Sequence, residues 1–377
     1  MEKELEKLKK EKLYRKRVLV EGLKDFCSND YLGLRRHPEV IEEAERVLKE
    51  QGLGSGASQL VSGYTKYHKE LEEALADFKK VPSCVLFGSG FLANVGAIPA
   101  LVGEEDIILS DELNHASIID GVRLSKAQRY VFKHKDYEEL EELLSKNRTK
   151  YRRCLIVTDT VFSMDGDIAD LRRLYEICEG YDCMLYLDEA HATGVLGKTG
   201  RGGLEHFGLE HKDFVIVMGT LSKALGGYGA FLCGSKLLVE YLVNRARSLI
   251  FSTSLPPHVC AGLIKSVEIL KREGEDFIKR LRLVEENLVK ILGELNLEFK
   301  YFKTPILPIL VYSEEKALRI SRELLKEKVF IQAIRYPTVP KGQARLRLTA
   351  SLNYTPQDLE FLKEKLEKVI KEREREA

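Results

Sequence analysis

Short, almost wholly apolar runs that alternate with helical segments constrain this chain most. Cys84-Val85-Leu86-Phe87, Asp106-Ile107-Ile108-Leu109, Tyr130-Val131-Phe132, Leu155-Ile156-Val157-Thr158, Leu185-Tyr186-Leu187, Phe214-Val215-Ile216-Val217-Met218 and Ala230-Phe231-Leu232-Cys233 read as strands. Phe91 to Leu101 and Leu171 to Gly180 read as helices among them. This alternation predicts an α/β fold, a mostly parallel sheet with helices on both faces. The flanks differ. Residues 1–17 read as a polar helix, and His37-Pro38 opens a helix to about Lys49. Residues 264–298 read as a long amphipathic helix, Pro305 to Val311 and Ala344 to Leu348 as strands, and Pro356 to Arg373 as a closing helix. The predicted division is an N-terminal arm (1–36), a large α/β domain (37–263) and a smaller α+β domain (264–377).

The chain has 377 residues, 44% of them hydrophobic, enough for a large buried core. Lys plus Arg number 60 against 59 acids, and a net charge of +1 argues against nucleic acid as a partner. The seven cysteines show no Cys-x-x-Cys and no histidine at metal spacing, so no metal site is expected. They read as buried free thiols of a reducing compartment. Met1 to Glu6 lacks the apolar core of a signal peptide, and no run reaches the length of a membrane span. The expected location is cytoplasmic.

Two strand ends carry chemistry. Lys223 follows the Phe214–Met218 run within Gly219-Thr220-Leu221-Ser222-Lys223-Ala224-Leu225-Gly226-Gly227. Open α/β sheets place their ligands at carboxyl ends of strands. A partly desolvated amine there loses its proton more readily and can form a Schiff base. Alone, the residue reads more readily as a surface lysine in a loop. The run Leu185-Tyr186-Leu187 shifts that balance, because it ends in Asp188-Glu189-Ala190-His191. Pyridoxal phosphate needs a lysine for its aldehyde and an acid beside its ring nitrogen. Lys223 and Asp188 suit those roles, with His191 as the candidate partner of the phenolic oxygen.

Other motifs weigh less. Ala192-Thr193-Gly194-Val195-Leu196-Gly197-Lys198-Thr199 fits a loose Walker A pattern, and Asp188 to His191 spells an acidic helicase box. A phosphate loop must open a helix, yet Gly200, Gly202 and Gly203 follow at once, and the order of the two boxes is reversed. Gly52-Leu53-Gly54-Ser55-Gly56 follows no strand, so it is not a dinucleotide fingerprint.

Several stretches in order carry a resemblance: Asn29 to Leu34, Gly54 to Gly63, Asn114-His115-Ala116-Ser117, Ser163-Met164-Asp165-Gly166-Asp167, Asp188 to His191, Thr220 to Lys223, Phe251-Ser252-Thr253-Ser254, and Pro337 to Pro340 through Arg345-Leu346-Arg347-Leu348-Thr349. Across nearly its whole length the chain resembles the α-oxoamine synthase family of pyridoxal-phosphate enzymes, which has the aspartate-aminotransferase-like fold type I. The resemblance implies that Lys223 carries the cofactor, Asp188 pairs with its ring nitrogen, and His115 stacks on the ring. It puts Ser163 and His191 beside the ring oxygen, and Gly90, Phe91 and Thr220 at the phosphate. Ser252 and Thr253 would reach the phosphate of a partner subunit, which implies a homodimer with shared sites. Arg347 matches the arginine that clamps the amino acid's carboxylate. Arg345 lies two residues away on the same face, so spacing does not choose between them. Thr349 and Arg15 are the matching contacts to the acyl substrate.

The Gly54–Gly63 stretch resembles the branch that condenses L-alanine with a pimeloyl thioester of coenzyme A or acyl carrier protein, with loss of carbon dioxide, in biotin synthesis. Gln59 departs from that motif, where arginine is expected. Glycine-using relatives and a pyridoxal aminotransferase are the competing readings.

Overall fold

The computed structural model describes residues 1–374. It comprises two compact units. One spans 32–162 and 168–278, the other 1–31, 163–167 and the described residues from 279 to 374.

In the first unit, the apolar runs form a seven-stranded sheet among the described residues. Its strands are β1 (Ser83–Phe87), β2 (Ile107–Asp111), β3 (Gln128–Phe132), β4 (Cys154–Asp159), β5 (Met184–Asp188), β6 (Val215–Thr220) and β7 (Ala230–Gly234). The spatial order is β1-β7-β6-β5-β4-β2-β3, and every neighbouring pair is parallel except those that involve β7. The predicted fold class is therefore observed. Strands β2, β4, β6 and β7 are buried throughout, as continuous apolar runs require when helices cover both faces. Val85, Phe87, Ile98, Ile118, Val157, Ile216 and Leu232 belong to one core cluster between sheet and helices.

The helices Lys66–Lys79, Ala116–Leu124, Tyr137–Asn147 and Lys236–Arg245 lie in segments left without an assignment from sequence. The long helix begins at Pro257, ahead of its predicted start, and ends at Glu294. Pro257 lacks an N–H and suits a first helical position, where that donor would have no intrahelical partner. No described helix is long and apolar enough to cross a membrane.

One expectation about cysteine is corrected. Cys84 and Cys233 are directly opposite in the antiparallel β1–β7 pair and are joined by a disulfide, with Cα atoms 4.2 Å apart. Cys27, Cys154, Cys178, Cys183 and Cys260 are free thiols.

In the second unit, β8 (Ile306–Tyr312), β9 (Gln332–Ile334) and β10 (Ala344–Thr349) form an antiparallel sheet in the order β9-β10-β8. The N-terminal helix covers only Glu2–Lys10 rather than 1–17. Beyond it the main chain is used differently: the carbonyls of Lys12 and Tyr14 accept Arg335 Nε (2.6 Å) and Nη2 (2.7 Å).

Candidate active site

Three neighbouring parallel strands of the first unit end in polar residues. Asp159 closes β4, Asp188 closes β5 and Thr220 closes β6, with Asp159 and Asp188 in register. Asp188 is 2% exposed. A carboxylate so buried requires donors. Ala190 N–H reaches Oδ1 at 2.9 Å, and Asn94 Nδ2 reaches Oδ2 at 2.8 Å.

Lys223 lies in the turn that connects β6 to β7. Leu221 N–H bonds to Gly229 O (2.9 Å), Gly227 N–H to Leu221 O (2.8 Å) and Gly226 N–H to Lys223 O (2.9 Å). Gly226 is left-handed at φ +75°, and a Cβ there would stand 2.2 Å from Arg35 N, so the turn needs glycine twice over. Lys223 Nζ is 2.9 Å from His191 Nε2, and His191 is buried. Thr220 Oγ1 lies 2.7 Å from Ser222 Oγ and accepts from Ser222 N–H at 3.3 Å.

His115 caps the helix Ala116–Leu124. Its Nδ1 accepts Ser117 N–H at 3.2 Å and lies 2.7 Å from Ser117 Oγ. An N–H can only donate, so the neutral ring carries its proton on Nε2. Burial lowers the His115 pKa; the charge of Asp188 opposes that shift, and the charge of Lys223 adds to it. Its main-chain N–H bonds to Asp159 Oδ2 at 2.7 Å. Burial pushes Asp159 well above the usual carboxylate range, reinforced by the charge of Asp188. Asn114 explains its place in the motif: it donates to Ser110 Oγ and Val157 O, both at 2.9 Å, and accepts Asp159 N–H at 2.9 Å.

Gly90 and Phe91 open the helix Gly90–Leu101 directly after β1, with Ser89 as its cap through Leu92 N–H (3.2 Å). Phe91 is exposed. Ser252 and Thr253 lie in a loop against the Gly54–Gly63 stretch: Thr253 bridges to Ser58, and Ser55 Oγ donates to Ser254 O at 2.8 Å. Gln59 Nε2 donates to Leu86 O at 2.9 Å, tying the same stretch to β1. The Walker-like segment opens no helix, and Lys198 pairs with Glu275 (3.6 Å) at the surface.

The remaining candidates belong to the second unit. Arg345, Arg347 and Thr349 alternate along one face of β10, opposite Leu310, Pro308 and Ile306. Arg345 is 1% exposed and spent on Asp165 Oδ1 (2.5 Å), Met164 O (3.3 Å) and Gln343 O (3.1 Å). Arg347 donates Nε to Ser163 O (2.9 Å) and Nη1 to Asn29 Oδ1 (3.0 Å). Thr349 is fully buried and donates to Ser28 O at 2.8 Å. Arg15 is on the surface, 3.4 Å from Thr338 Oγ1.

Sequence reasoning passed over Asn94, Ser117 and Asp159 as site residues. Asn94 had a readable signal, since it is the one polar side chain in Gly90-Phe91-Leu92-Ala93-Asn94-Val95-Gly96-Ala97-Ile98-Pro99-Ala100-Leu101. Asp159 ends an apolar strand just as Asp188 does.

The family model for aminotransferases of class I and II matches residues 21–366. A relative from Aquifex aeolicus, provisionally named 8-amino-7-oxononanoate synthase, is 71% identical over 373 residues, 99% of each chain. The 8-amino-7-oxononanoate synthase of Fervidobacterium nodosum is 44% identical over 386 residues, 98% of this chain and 97% of its own. Among solved structures, serine palmitoyltransferase from S. paucimobilis with a bound PLP–myriocin aldimine superposes with a TM-score of 0.90 at 27% identity, covering 98% of this chain and 96% of that one. The 8-amino-7-oxononanoate synthase of Francisella tularensis gives 0.79 at 30% identity, covering 94% and 98%. Together with a carboxylate and an amine at neighbouring strand ends, these likenesses mean that the chain belongs to the class I and II aminotransferase family, and within it to the 8-amino-7-oxononanoate synthases of the pyridoxal-phosphate-dependent α-oxoamine synthase group.

Proposed function

We propose that this protein joins L-alanine to a pimeloyl thioester, giving 8-amino-7-oxononanoate, free thiol and carbon dioxide. The carrying observation is the buried Asp188 beside a strand end that presents Lys223 against His191. These groups fit pyridoxal phosphate. The buried, doubly bonded carboxylate suits a ring nitrogen, the amine suits an aldehyde, and the flat His115 imidazole suits a ring face. When bound, that cofactor supplies an electron sink for the pair left at Cα once the proton departs.

The chain's own groups divide the remaining work. Lys223 takes the Cα proton of alanine and later returns one, with His191 as its neighbour for the exchange. Asp188 contributes a fixed negative charge whose donors, Ala190 N–H and Asn94 Nδ2, keep it oriented. Gly90, Phe91 and Thr220 form the phosphate end, where a helix N-terminus offers N–H donors. Arg347 receives the substrate carboxylate, as a planar fork matches two oxygens. The involvement of Arg345 with Asp165 supports that choice. Cα of alanine then bonds to the thioester carbonyl carbon, the thiolate leaves, and the alanine carboxylate departs as carbon dioxide. Thr349 and Arg15 are proposed for the acyl side, and Ser163 for the ring oxygen. Coenzyme A and acyl carrier protein present the same thioester chemistry. A homodimer, with Ser252 and Thr253 serving the partner's site, is part of the proposal. Exposed Phe251 and Leu124, which line one surface cleft, support it.

The test is thiol release from pimeloyl-CoA with L-alanine, glycine or L-serine. The proposal expects alanine to be preferred and Lys223→Ala to remove both turnover and the yellow colour of the loaded protein. Preference for glycine with acetyl-CoA would move the chain to the glycine branch. Pyruvate formation without thiol release would make it an aminotransferase.

A further inference from the structure

We propose that Asn94 is a positioning residue: through a single amide it sets both the carboxylate of Asp188 and the imidazole of His115. The inference rests on the reading above, in which Asp188 meets the ring nitrogen of the cofactor and His115 meets its face. Asn94 is fully buried in the helix Gly90–Leu101, whose other side chains are apolar. Its Nδ2 donates to Asp188 Oδ2 and to Ser117 Oγ, each at 2.8 Å. Its Oδ1 accepts from Tyr186 OH at 2.7 Å.

The orientation of the amide is chemically determined. An ionised carboxylate only accepts, so the nitrogen must face Asp188 and the oxygen must face Tyr186. Tyr186 lies on β5, two residues before Asp188 and on the same face of the strand, so one strand supplies both the donor that fixes the amide and the anion it holds. The second N–H of the amide occupies Ser117 Oγ as an acceptor, which directs the serine proton toward His115 Nδ1. Ser117 N–H adds a second donor to that nitrogen. The result is a continuous run from Tyr186 through Asn94 to Asp188 on one branch, and through Ser117 to His115 on the other. Loss of the amide removes a charge-assisted hydrogen bond from Asp188 and releases the donor state of Ser117 together.

The test uses the full-length protein without and with cofactor, for wild type, Asn94→Ala and Asn94→Asp. One readout is the dissociation constant for pyridoxal phosphate, from titration of the apo-protein. The other is the ring 15N shift of His115 in the apo-protein, which reports its tautomer. Asn94→Asp keeps the volume of the side chain and its acceptor for Tyr186 but turns an oxygen on Asp188. A packing role therefore predicts that Asn94→Asp is harmless. Positioning predicts that both variants bind roughly ten- to hundredfold more weakly, with the Nδ1 and Nε2 shifts of His115 displaced. Wild-type affinity and unaltered His115 shifts in Asn94→Asp would overturn the inference. Should neither Asn94 variant fold, Tyr186→Phe removes only the hydroxyl that orients the amide. A several-fold loss of affinity is then expected, and no loss would equally overturn the inference. If wild-type apo-protein itself fails to take up pyridoxal phosphate, the fault lies with the functional reading and not with Asn94.

Discussion

Replacing Lys79 with methionine should destabilise the first unit more than almost any other charge removal. Lys79 ends the helix Lys66–Lys79, and its side chain is 3% exposed against 0% for Glu189, with Nζ 2.5 Å from Oε2. The amine also donates to the Arg201 carbonyl and to Thr193 Oγ1 (3.3 Å). Glu189 in turn accepts Gly203 N–H at 2.7 Å and Thr193 Oγ1 at 3.2 Å. Gly202 passes so close that a Cβ there would stand 2.0 Å from Glu189 Oε2. The glycine-rich segment that mimics a phosphate loop is thus wrapped around an ion pair. Without its cation, Glu189 is a buried charge with only neutral donors nearby, and breaking such a pair costs about 3–5 kcal/mol. Removing both charges leaves no stranded ion. Urea unfolding of Lys79→Met, Glu189→Gln and the double variant should therefore be strongly non-additive, the double falling short of the summed singles by about 2–3 kcal/mol. Single losses under about 1 kcal/mol that simply add would refute the argument. They would mean that water reaches the pair.

Other perturbations have equally defined outcomes. Burial raises Glu72 to about 7, despite donors from Tyr64 OH (2.7 Å) and Leu86 N–H (3.2 Å). The folded state then holds a proton that the unfolded state has released, so this group's stabilisation is full below pH about 4.5 and is lost as pH rises through about 7. Glu72→Gln should gain up to about 3 kcal/mol over wild type at pH 8 and nothing near pH 4, by chemical denaturation; a gain confined to acid pH would contradict the sign. In the second unit, Arg345→Ala removes a buried guanidinium from Asp165, which keeps Lys300 (2.7 Å) as its cation, and should cost about 1.5–3 kcal/mol of stability. Arg347→Ala should instead raise KM for L-alanine roughly ten- to hundredfold with a smaller stability loss, and the reverse pattern would exchange the two roles.

The large sheet was readable because strands covered on both faces must be continuously apolar, a local property of runs such as Phe214–Met218. Lys223 and Asp188 were readable because they stand where such runs stop. What escaped depends on partners distant in sequence. The Cys84–Cys233 bond requires knowing that β1 and β7 lie side by side across 149 residues. The proposed choice of Arg347 over Arg345 rests on Asp165, which lies on another segment of the chain. Asn94 sits in an apolar helix, where its meaning comes from Tyr186 and Asp188 on the strand beneath. The N-terminal helix stops short of its amphipathic spacing for the opposite, local reason: Lys12 turns left-handed at φ +59°, and Leu13 N–H closes back on Leu8 O at 2.8 Å.

The topology also poses an electrostatic problem, and its solution is testable. Parallel register brings Asp159 and Asp188 to neighbouring strand ends, where two buried carboxylates do not both ionise cheaply. The donors are shared unequally. Asp188 receives Asn94 Nδ2 and Ala190 N–H on separate oxygens, whereas Asp159 receives His115 N–H on one. The donors therefore favour the charge on Asp188, while burial and that neighbouring charge shift Asp159 toward its protonated form. Asp159→Asn then replaces a neutral acid with a neutral amide that can still accept His115 N–H, while Asp188→Asn deletes the anion itself. Because the pKa of Asp159 is raised on folding, its stabilisation is full below the unfolded value of about 3.9 and is lost as pH rises through the folded one. Asp159→Asn should accordingly gain stability relative to wild type as pH increases, and it should retain cofactor binding that Asp188→Asn weakens. If Asp159→Asn instead lost stability with rising pH, or released the cofactor as readily as Asp188→Asn, the negative charge would reside on β4 and the division of labour between these two strand ends would have to be reversed.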